Sequence, residues 1–218
     1  MGDPLPVILL HGALRSPLGM APTARMLRAH GFEARCFGYA TRRRSLADHA
    51  AVLEQEIEAW LGTRHSTIGL LTHSMGGLVA RALLARPGMA TIAPRQRLVM
   101  LAPPNRGATL AAHNRDFLPF AWLYGHAASE LQPERVEVLP PPPPSCSTLI
   151  LIGGTGDGRG YNPRINGDDD GVVASAETGL PGLDPEFVGG LHSTLQWRAG
   201  VIDRAARFLA APNETRER

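Results

Sequence analysis

The 218-residue sequence has little of what would mark several protein classes. It has two cysteines, Cys36 and Cys146, which we interpret as free thiols, although one disulfide stays open as an alternative. The net charge of +2 is too small to indicate nucleic-acid binding. No apolar run approaches the length of a transmembrane helix. The first residues carry an acidic side chain and no basic segment, so we expect no signal peptide and a cytoplasmic location.

What remains is an ordinary globular composition, with 44% hydrophobic and 19% charged residues, and a length that suits one domain over residues 1–218. Short apolar runs alternate with stretches of helical periodicity, which predicts an α/β fold. Among the predicted helices, one covers 18–30 and another opens at Ser45 to Asp48 with a variant of the capping box. We expect a doubly wound, mostly parallel sheet flanked by helices, with the functional residues at the carboxyl ends of the strands. The predicted strands lie at 6–10, 33–39, 67–71, 97–101 and 148–152, and residues 186–191 are predicted as a short strand that runs into a Gly-rich turn. Residues from about 211 to 218 are expected to be a disordered tail.

Residues 67–79, TIGLLTHSMGGLV, combine an apolar β-rich run, a tight turn and a helical pattern. In this context G-x-S-x-G forms a nucleophile elbow, a strained turn that exposes a serine above the edge of a sheet. Gly76 and Gly77 supply the small residues after Ser74, whereas Thr72 stands where the pattern has its first glycine. Because S-x-G is common in turns, the pentapeptide alone does not decide between a nucleophile and an ordinary turn.

The apolar run at residues 6–10 predicts a buried strand that ends in His11-Gly12-Ala13. In serine hydrolases the loop after such a strand donates a backbone N–H to the oxyanion, and the residue after the nucleophile donates a second. Gly12 would let the main chain pass close to a reacting carbonyl. The alternative is a glycine turn with His11 packing or hydrogen-bonding locally, and this segment by itself favours that alternative.

A general base is expected after Ser74 in the chain. His113 and His126 lie in a loop-rich section, whereas His192 follows the short predicted strand at residues 186–191. A histidine on a loop just beyond a strand can reach over the edge of the sheet. His192 is therefore predicted as the base.

Three adjacent carboxylates, Asp168, Asp169 and Asp170, are the candidates for the acid that orients this base. They cannot all be buried cheaply, so a solvated turn or a cation site is the alternative interpretation. We favour Asp170 because it directly precedes Gly171 and the apolar pair at 172–173.

Four segments together resemble the α/β-hydrolase superfamily, specifically its small bacterial lipase- and esterase-like members. They are VILLHGALRSPLGMAPTARMLRAHGF, LLTHSMGGLVAR, RLVMLAPPNRGA and the pair GDDDGVVASAET and LHSTLQW, in the family's order from about residue 6 to residue 210. The resemblance implies Ser74 as the nucleophile, Asp170 as the acid and His192 as the base. It also implies that the N–H groups of Ala13 and Met75 form an oxyanion hole.

The least regular region is residues 103–146, and we predict a small cap-like insertion over about 106–146. In this fold, insertions at this point form a cap or acyl pocket over the serine, and the aromatic cluster here suits an acyl chain. A short helix that packs its aromatic residues on the sheet is an equally good interpretation. The segment is too short for a large mobile lid, so we expect an open pocket. Its predicted lining residues are Leu14, His73, Phe117, Phe120 and Trp122.

One basic run, Arg42 to Arg44, follows the second predicted strand. A solvated loop is the favoured interpretation of this run, and an anion site is the alternative.

Together these features predict a serine hydrolase that cleaves carboxylic esters, with short to medium acyl chains favoured, through an acyl-enzyme. The expected partner is a small-molecule or lipid ester, with no nucleic acid and no membrane-spanning segment, and the oligomeric state is not determined. We expect no metal and no organic cofactor, with a structural calcium on Asp168 and Asp169 as the alternative. Other functions stay open: an acyltransferase, amidase or thioesterase on the same fold, or a non-catalytic binding protein.

Overall fold

A computed structural model describes residues 3–62, 66–110 and 124–211. Six strands form one sheet in the order β2-β1-β3-β4-β5-β6, and neighbouring strands pair in parallel throughout. The strands are β1 (Pro6–Leu10), β2 (Glu33–Phe37), β3 (Thr67–His73), β4 (Arg95–Leu101), β5 (Cys146–Ile152) and β6 (Glu186–Phe187).

Helices occupy most of the connections between these strands. They are α1 (Ala21–Ala29), α2 (Leu46–Leu61), α3 (Gly76–Leu84), α4 (Pro87–Ile92), α5 (His126–Glu130), α6 (Pro133–Glu137) and α7 (Ala199–Ala210). Short 3₁₀ helices cover Pro17–Met20, Ser175–Glu177 and His192–Trp197. The predicted α/β class with a doubly wound, parallel sheet is confirmed.

The sheet is buried on both faces, which explains why its strands appear in the sequence as continuous apolar runs. In β1, Val7 and Leu9 pack on one face with α1 and α7, whereas Ile8 and Leu10 pack on the other face with α2, α3 and α4. Successive side chains of a strand point to opposite faces, so an all-apolar strand supplies both cores at once.

The order of the strands creates a switch point. From β1 the chain moves to β2 on one side, and it then returns to β3 on the other side of β1. In open α/β sheets, ligands bind outside the carboxyl ends of the strands at such a point. The residues that follow β1 and β3 therefore meet at the edge where a ligand site is expected.

Several element boundaries differ from the sequence prediction for local reasons. The predicted helix at 18–30 is a 3₁₀ turn followed by α1, because Pro22 has no N–H and fits only the first turn of an α-helix. The predicted short strand is β6, and the predicted Gly-rich turn follows it, with positive φ angles of 65° at Gly189 and 91° at Gly190. Helix α2 begins as predicted, with a capping box formed by Ser45 and Asp48.

The described parts of the predicted cap-like insertion are tied to the helix α3. The buried guanidinium of Arg81 donates hydrogen bonds to the carbonyl oxygens of Asn105, at 3.1 Å, and Pro140, at 3.1 Å. It also reaches the carbonyl oxygens of Val136 and Leu139, which follow in α6 and just after it. Both ends of the insertion are thus fixed to one helix.

Within residues 3–62, 66–110 and 124–211, no helix combines the length and the apolar character that crossing a membrane requires.

Candidate active site

Ser74 follows directly on β3 and precedes α3, and its backbone has a positive φ of 54°. A non-glycine residue in this region costs about 1–2 kcal/mol, so the surrounding structure must hold it there. The Ser74 N–H donates to the carbonyl oxygen of Leu101 at the end of β4, at 2.8 Å. The serine lies half-buried at the carboxyl edge of the sheet, on a strained strand-to-helix turn.

Glycines allow the end of β1 to approach this turn closely. A Cβ on Gly76 would lie 2.7 Å from the carbonyl oxygen of Leu10 and 2.8 Å from that of His11. A Cβ on Gly12 would lie 3.0 Å from the Cβ of Ser74. The loop after β1 therefore passes directly beside the serine.

Thr72, which replaces the first glycine of the elbow pattern, is fully buried under this turn. Its hydroxyl donates to the carbonyl oxygen of Val99 in β4, at 3.2 Å. Because the buried hydroxyl has a partner, the departure from glycine leaves no unsatisfied polar group.

Asp170 and His192 form a buried pair. One carboxylate oxygen of Asp170 accepts a hydrogen bond from Nδ1 of His192 at 2.7 Å, and the two side chains are 2% and 9% exposed. The other oxygen accepts the N–H groups of Val172, at 3.0 Å, and Val173, at 2.8 Å. The His192 N–H also donates to the Asp170 carbonyl oxygen at 2.8 Å. Nδ1 of His192 therefore carries a proton, which leaves Nε2 free to accept one.

The two neighbouring carboxylates are engaged elsewhere. Asp168 accepts the N–H groups of Thr155, at 2.8 Å, and Gly156, at 2.9 Å. Asp169 accepts the N–H groups of Asn162, at 3.1 Å, and Gly171, at 2.6 Å. Among the described residues, no group of three histidine, cysteine or acidic side chains is placed to hold a metal ion.

His73 links the elbow to His192. The two rings lie with their centroids 4.8 Å apart, and Nε2 of His73 donates to the His192 carbonyl oxygen at 2.9 Å. Burial, followed by the neighbouring His192, lowers the pKa of His73 to about 3, so its ring stays neutral. His73, a predicted pocket residue, is buried and in contact with His192.

The loop after β1 is held from the side of β2. The Leu14 N–H donates to the hydroxyl of the buried Thr41, at 3.2 Å, and Leu14 itself has a φ of 56°. His11 stacks on Tyr39 with ring centroids 4.2 Å apart, and its Nδ1 donates to the Gly12 carbonyl oxygen at 2.9 Å. Burial lowers the pKa of His11 below its ordinary value, so this ring too is held neutral. His11 thus makes the local contacts that the alternative interpretation expected, and they fix the loop.

Backbone donors are available on both sides of the serine. Among the described residues, neither the Ala13 N–H nor the Met75 N–H donates a hydrogen bond. The Ser74 hydroxyl likewise makes none within this set. Unpartnered N–H groups beside a nucleophile are what an oxyanion hole requires.

A cavity of about 660 Å³ opens beside this loop. Leu14, a predicted pocket residue, is 38% exposed and lines it. The predicted pocket residues Phe117, Phe120 and Trp122 lie outside the described residues.

Solved structures share this arrangement of strands and helices. A lipase from Bacillus licheniformis, BlEst2, matches in its mature form with a TM-score of 0.72 and 17% identity, over 95% of this chain and 90% of the lipase. The chain has the α/β-hydrolase fold. In its propeptide form the same lipase matches with a TM-score of 0.79 and 17% identity, over 99% of this chain, which spans 53% of that form.

A gene product of Listeria innocua, lin2722, matches with a TM-score of 0.68 and 16% identity, over 98% of this chain and 96% of the other. No protein-family model and no curated protein sequence matches the chain. At identities this low, the structural similarity shows the α/β-hydrolase fold alone, and the reaction must be argued from the site.

Some site residues had no signal in the sequence. Thr41 lies 27 positions from the loop that it holds, and nothing in the run ATRRR distinguishes it. The positive φ of Leu14 has no glycine or asparagine to reveal it. The contact of His73 with His192 spans 119 positions.

Proposed function

We propose that this chain is a serine hydrolase that cleaves carboxylic esters, with Ser74, His192 and Asp170 as its catalytic triad. The observation that carries the proposal is the buried hydrogen bond between Asp170 and His192, at 2.7 Å, on the same sheet edge as the strained Ser74. A strained turn and a buried pair of carboxylate and imidazole each cost free energy, and a serine nucleophile with its general base makes use of both at one edge.

In the proposed mechanism, Nε2 of His192 takes the proton of Ser74 as its oxygen attacks the ester carbonyl. Asp170 holds the imidazole in the tautomer that makes this possible and stabilises the imidazolium that forms. The N–H groups of Ala13 and Met75 bind the oxyanion. The imidazolium then protonates the leaving alcohol, and water activated by His192 hydrolyses the acyl-enzyme.

The proposed substrates are small-molecule or lipid esters with short to medium acyl chains. This preference rests on the predicted cap-like segment, which is too short to form a large mobile lid over the site. No step of this mechanism uses a metal or an organic cofactor.

A series of p-nitrophenyl esters of increasing chain length tests the proposal. We expect the highest kcat/KM at short to medium chains, with no jump in rate above the micelle-forming concentration. Ser74→Ala and His192→Ala should each abolish hydrolysis, and thermal unfolding should show that both variants keep the fold. A Ser74→Ala variant that retains more than a few per cent of the native rate would show that another residue is the nucleophile.

The same triad serves acyltransferases, amidases and thioesterases, so the acceptor and the leaving group must be varied as well. Competition between water and an added alcohol or amine separates transfer from hydrolysis. Matched amide and thioester substrates separate the other two activities. Labelling of Ser74 by a fluorophosphonate probe separates all of them from a binding protein without an active nucleophile.

A further inference from the structure

The cavity lies beside the loop after β1, which carries the proposed oxyanion donor Ala13. Leu14 and Thr41 both line the cavity, and the hydrogen bond between them holds this loop. A group bound in this cavity would therefore lie beside the loop that contributes to the proposed oxyanion hole. Its lining residues are Leu14, Arg15, Tyr39, Ala40, Thr41, Arg42 and Arg43.

Positive charge is concentrated in this cavity. Arg15, Arg42 and Arg43 belong to its lining, which among the described residues contains no carboxylate, although the whole chain carries a net charge of only +2. Arg15 and Arg43 are exposed, and neither guanidinium has a hydrogen-bond or ion-pair partner within the described residues. Arg15 also contributes, after burial and His192, to the lowered pKa of His73, so its charge is felt next to Ser74.

The three arginines of the run are exposed, as the favoured interpretation of a solvated loop expects, but their backbone is held in place. Thr41 is buried, and the His126 N–H donates to the Arg42 carbonyl oxygen at 3.2 Å. A Cβ on Gly125 would lie 2.5 Å from the same oxygen, so the start of α5 packs directly against this backbone. A fixed backbone limits the region that these guanidinium groups can reach and removes the backbone part of the entropy cost of binding an anion.

Guanidinium groups recognise carboxylate and phosphate oxygens through paired hydrogen bonds. We propose that this cavity is a subsite for an anionic group, a carboxylate or a phosphate, carried by the ester substrate. The inference rests on the proposed ester hydrolysis and deepens it, because it restricts the substrate class to esters with a negative charge near the scissile bond.

Two matched pairs of esters test the subsite. The p-nitrophenyl monoester of glutaric acid is compared with p-nitrophenyl valerate, and 1-butyrylglycerol 3-phosphate is compared with 1-butyrylglycerol. The readout is the ratio of kcat/KM for the anionic ester to that for its neutral partner. The native protein should prefer at least one anionic ester, and the pair with the larger ratio distinguishes carboxylate from phosphate.

Removing the guanidinium groups should lower that ratio. We expect Arg15→Gln and Arg43→Gln each to reduce it by about three- to tenfold, with a larger reduction in the double variant. Added salt should reduce the native ratio as well, because the cavity is open to solvent. The matched control is Arg207→Gln, which removes an exposed arginine from the last turn of α7. That end of α7 lies near the amino end of β4, where Arg97 binds the Leu209 carbonyl oxygen, far from the cavity, so the control should leave the ratio unchanged.

The outcomes separate this inference from the proposed function. If the esters are hydrolysed but the double variant keeps the native ratio, the anion subsite is wrong. If the native protein hydrolyses none of the four esters, the proposed function fails, and calorimetric titration with glutarate and glycerol 3-phosphate decides the inference. Binding of either anion that the double variant loses would support the subsite, and absence of binding to the native protein would overturn it.

Discussion

The close approach of β1 to the elbow makes Gly76→Ala an informative change. The new Cβ would lie 2.7 Å and 2.8 Å from the carbonyl oxygens of Leu10 and His11, closer than real Cβ contacts allow. Both oxygens belong to the backbone at the end of a buried strand, so neither can rotate away. Such overpacking costs about 1–3 kcal/mol, whereas alanine gains up to about 1 kcal/mol over glycine within a helix. We expect a net loss of about 1 kcal/mol in the free energy of unfolding.

The chain offers a matched control in Gly200→Ala. Gly200 is also in the first turn of a helix, α7, but no atom lies within 4 Å of a Cβ built there. The same substitution should therefore stabilise the protein slightly at this position. The free energy of unfolding of both variants is measured with urea. Both gain the helix preference of alanine, but only Gly76→Ala has the steric conflict, so the difference between the two variants reports the cost of that conflict.

Activity should respond to Gly76→Ala more strongly than stability does. To relieve the conflict, the end of β1 must move by several tenths of an ångström, and Ala13 follows only two residues after His11. Loss of a whole oxyanion donor costs about 10²–10³ in rate, so a displaced donor should lower kcat by about tenfold. If Gly76→Ala matched Gly200→Ala in stability and kept the native kcat, the close approach would not be what positions the proposed oxyanion hole.

Three further predictions follow from the contacts of single side chains. Asp170→Asn should lower kcat for ester hydrolysis by about 10⁴-fold, as the equivalent change does in serine proteases. Asp169→Asn should have a much smaller effect. A larger loss of kcat in Asp169→Asn would show that Asp169 is the acid. When the pH is lowered from 7 to 5, the free energy of unfolding, measured with urea, should fall by about 2 kcal/mol less in His73→Gln than in the native protein. The unfolded chain binds a proton on this imidazole near its ordinary pKa of 6.5, whereas in the folded chain the pKa is about 3 and the imidazole stays neutral. The native protein therefore loses stability as the pH falls through this range. An unchanged pH dependence in the variant would contradict this. Arg81→Lys should lower the free energy of unfolding by about 2 kcal/mol, because one ammonium cannot donate hydrogen bonds to all four carbonyl oxygens that the guanidinium reaches. A chemical denaturation midpoint equal to the native one would show that these contacts contribute little.

The sheet could be predicted from the sequence because its signals are local. A strand that is buried on both faces must be apolar at consecutive positions, and the run at β1 shows this directly. The start of α2 could be predicted as well, since both members of its capping box lie within four positions. The α/β class then follows from the alternation of strands and helices.

The contacts that shape the candidate site are not local, and this is why they could not be predicted. The hydroxyl that holds Leu14, the ring that stacks on His11 and the carbonyl oxygen that anchors Ser74 all come from other strands or the loops after them. A sequence pattern shows that a residue type is present, but it does not show which distant partner the fold brings to it. The same limit applies to the arginine run, whose backbone is held by the start of α5.

The three adjacent carboxylates, which the sequence leaves as alternatives for the acid, have different hydrogen-bond partners in the fold. Asp168 and Asp169 are occupied by N–H groups of the segment 155–162 and of Gly171, so they hold this loop in shape. Asp170 satisfies one oxygen with the two N–H groups that follow it and keeps the other for His192. Burying a carboxylate is tolerable only when hydrogen bonds replace its water, and here the turn itself supplies them. The geometry therefore favours Asp170 as the proposed acid. The carboxylates of Asp168 and Asp169 have a structural role instead, because they accept the N–H groups that hold this loop.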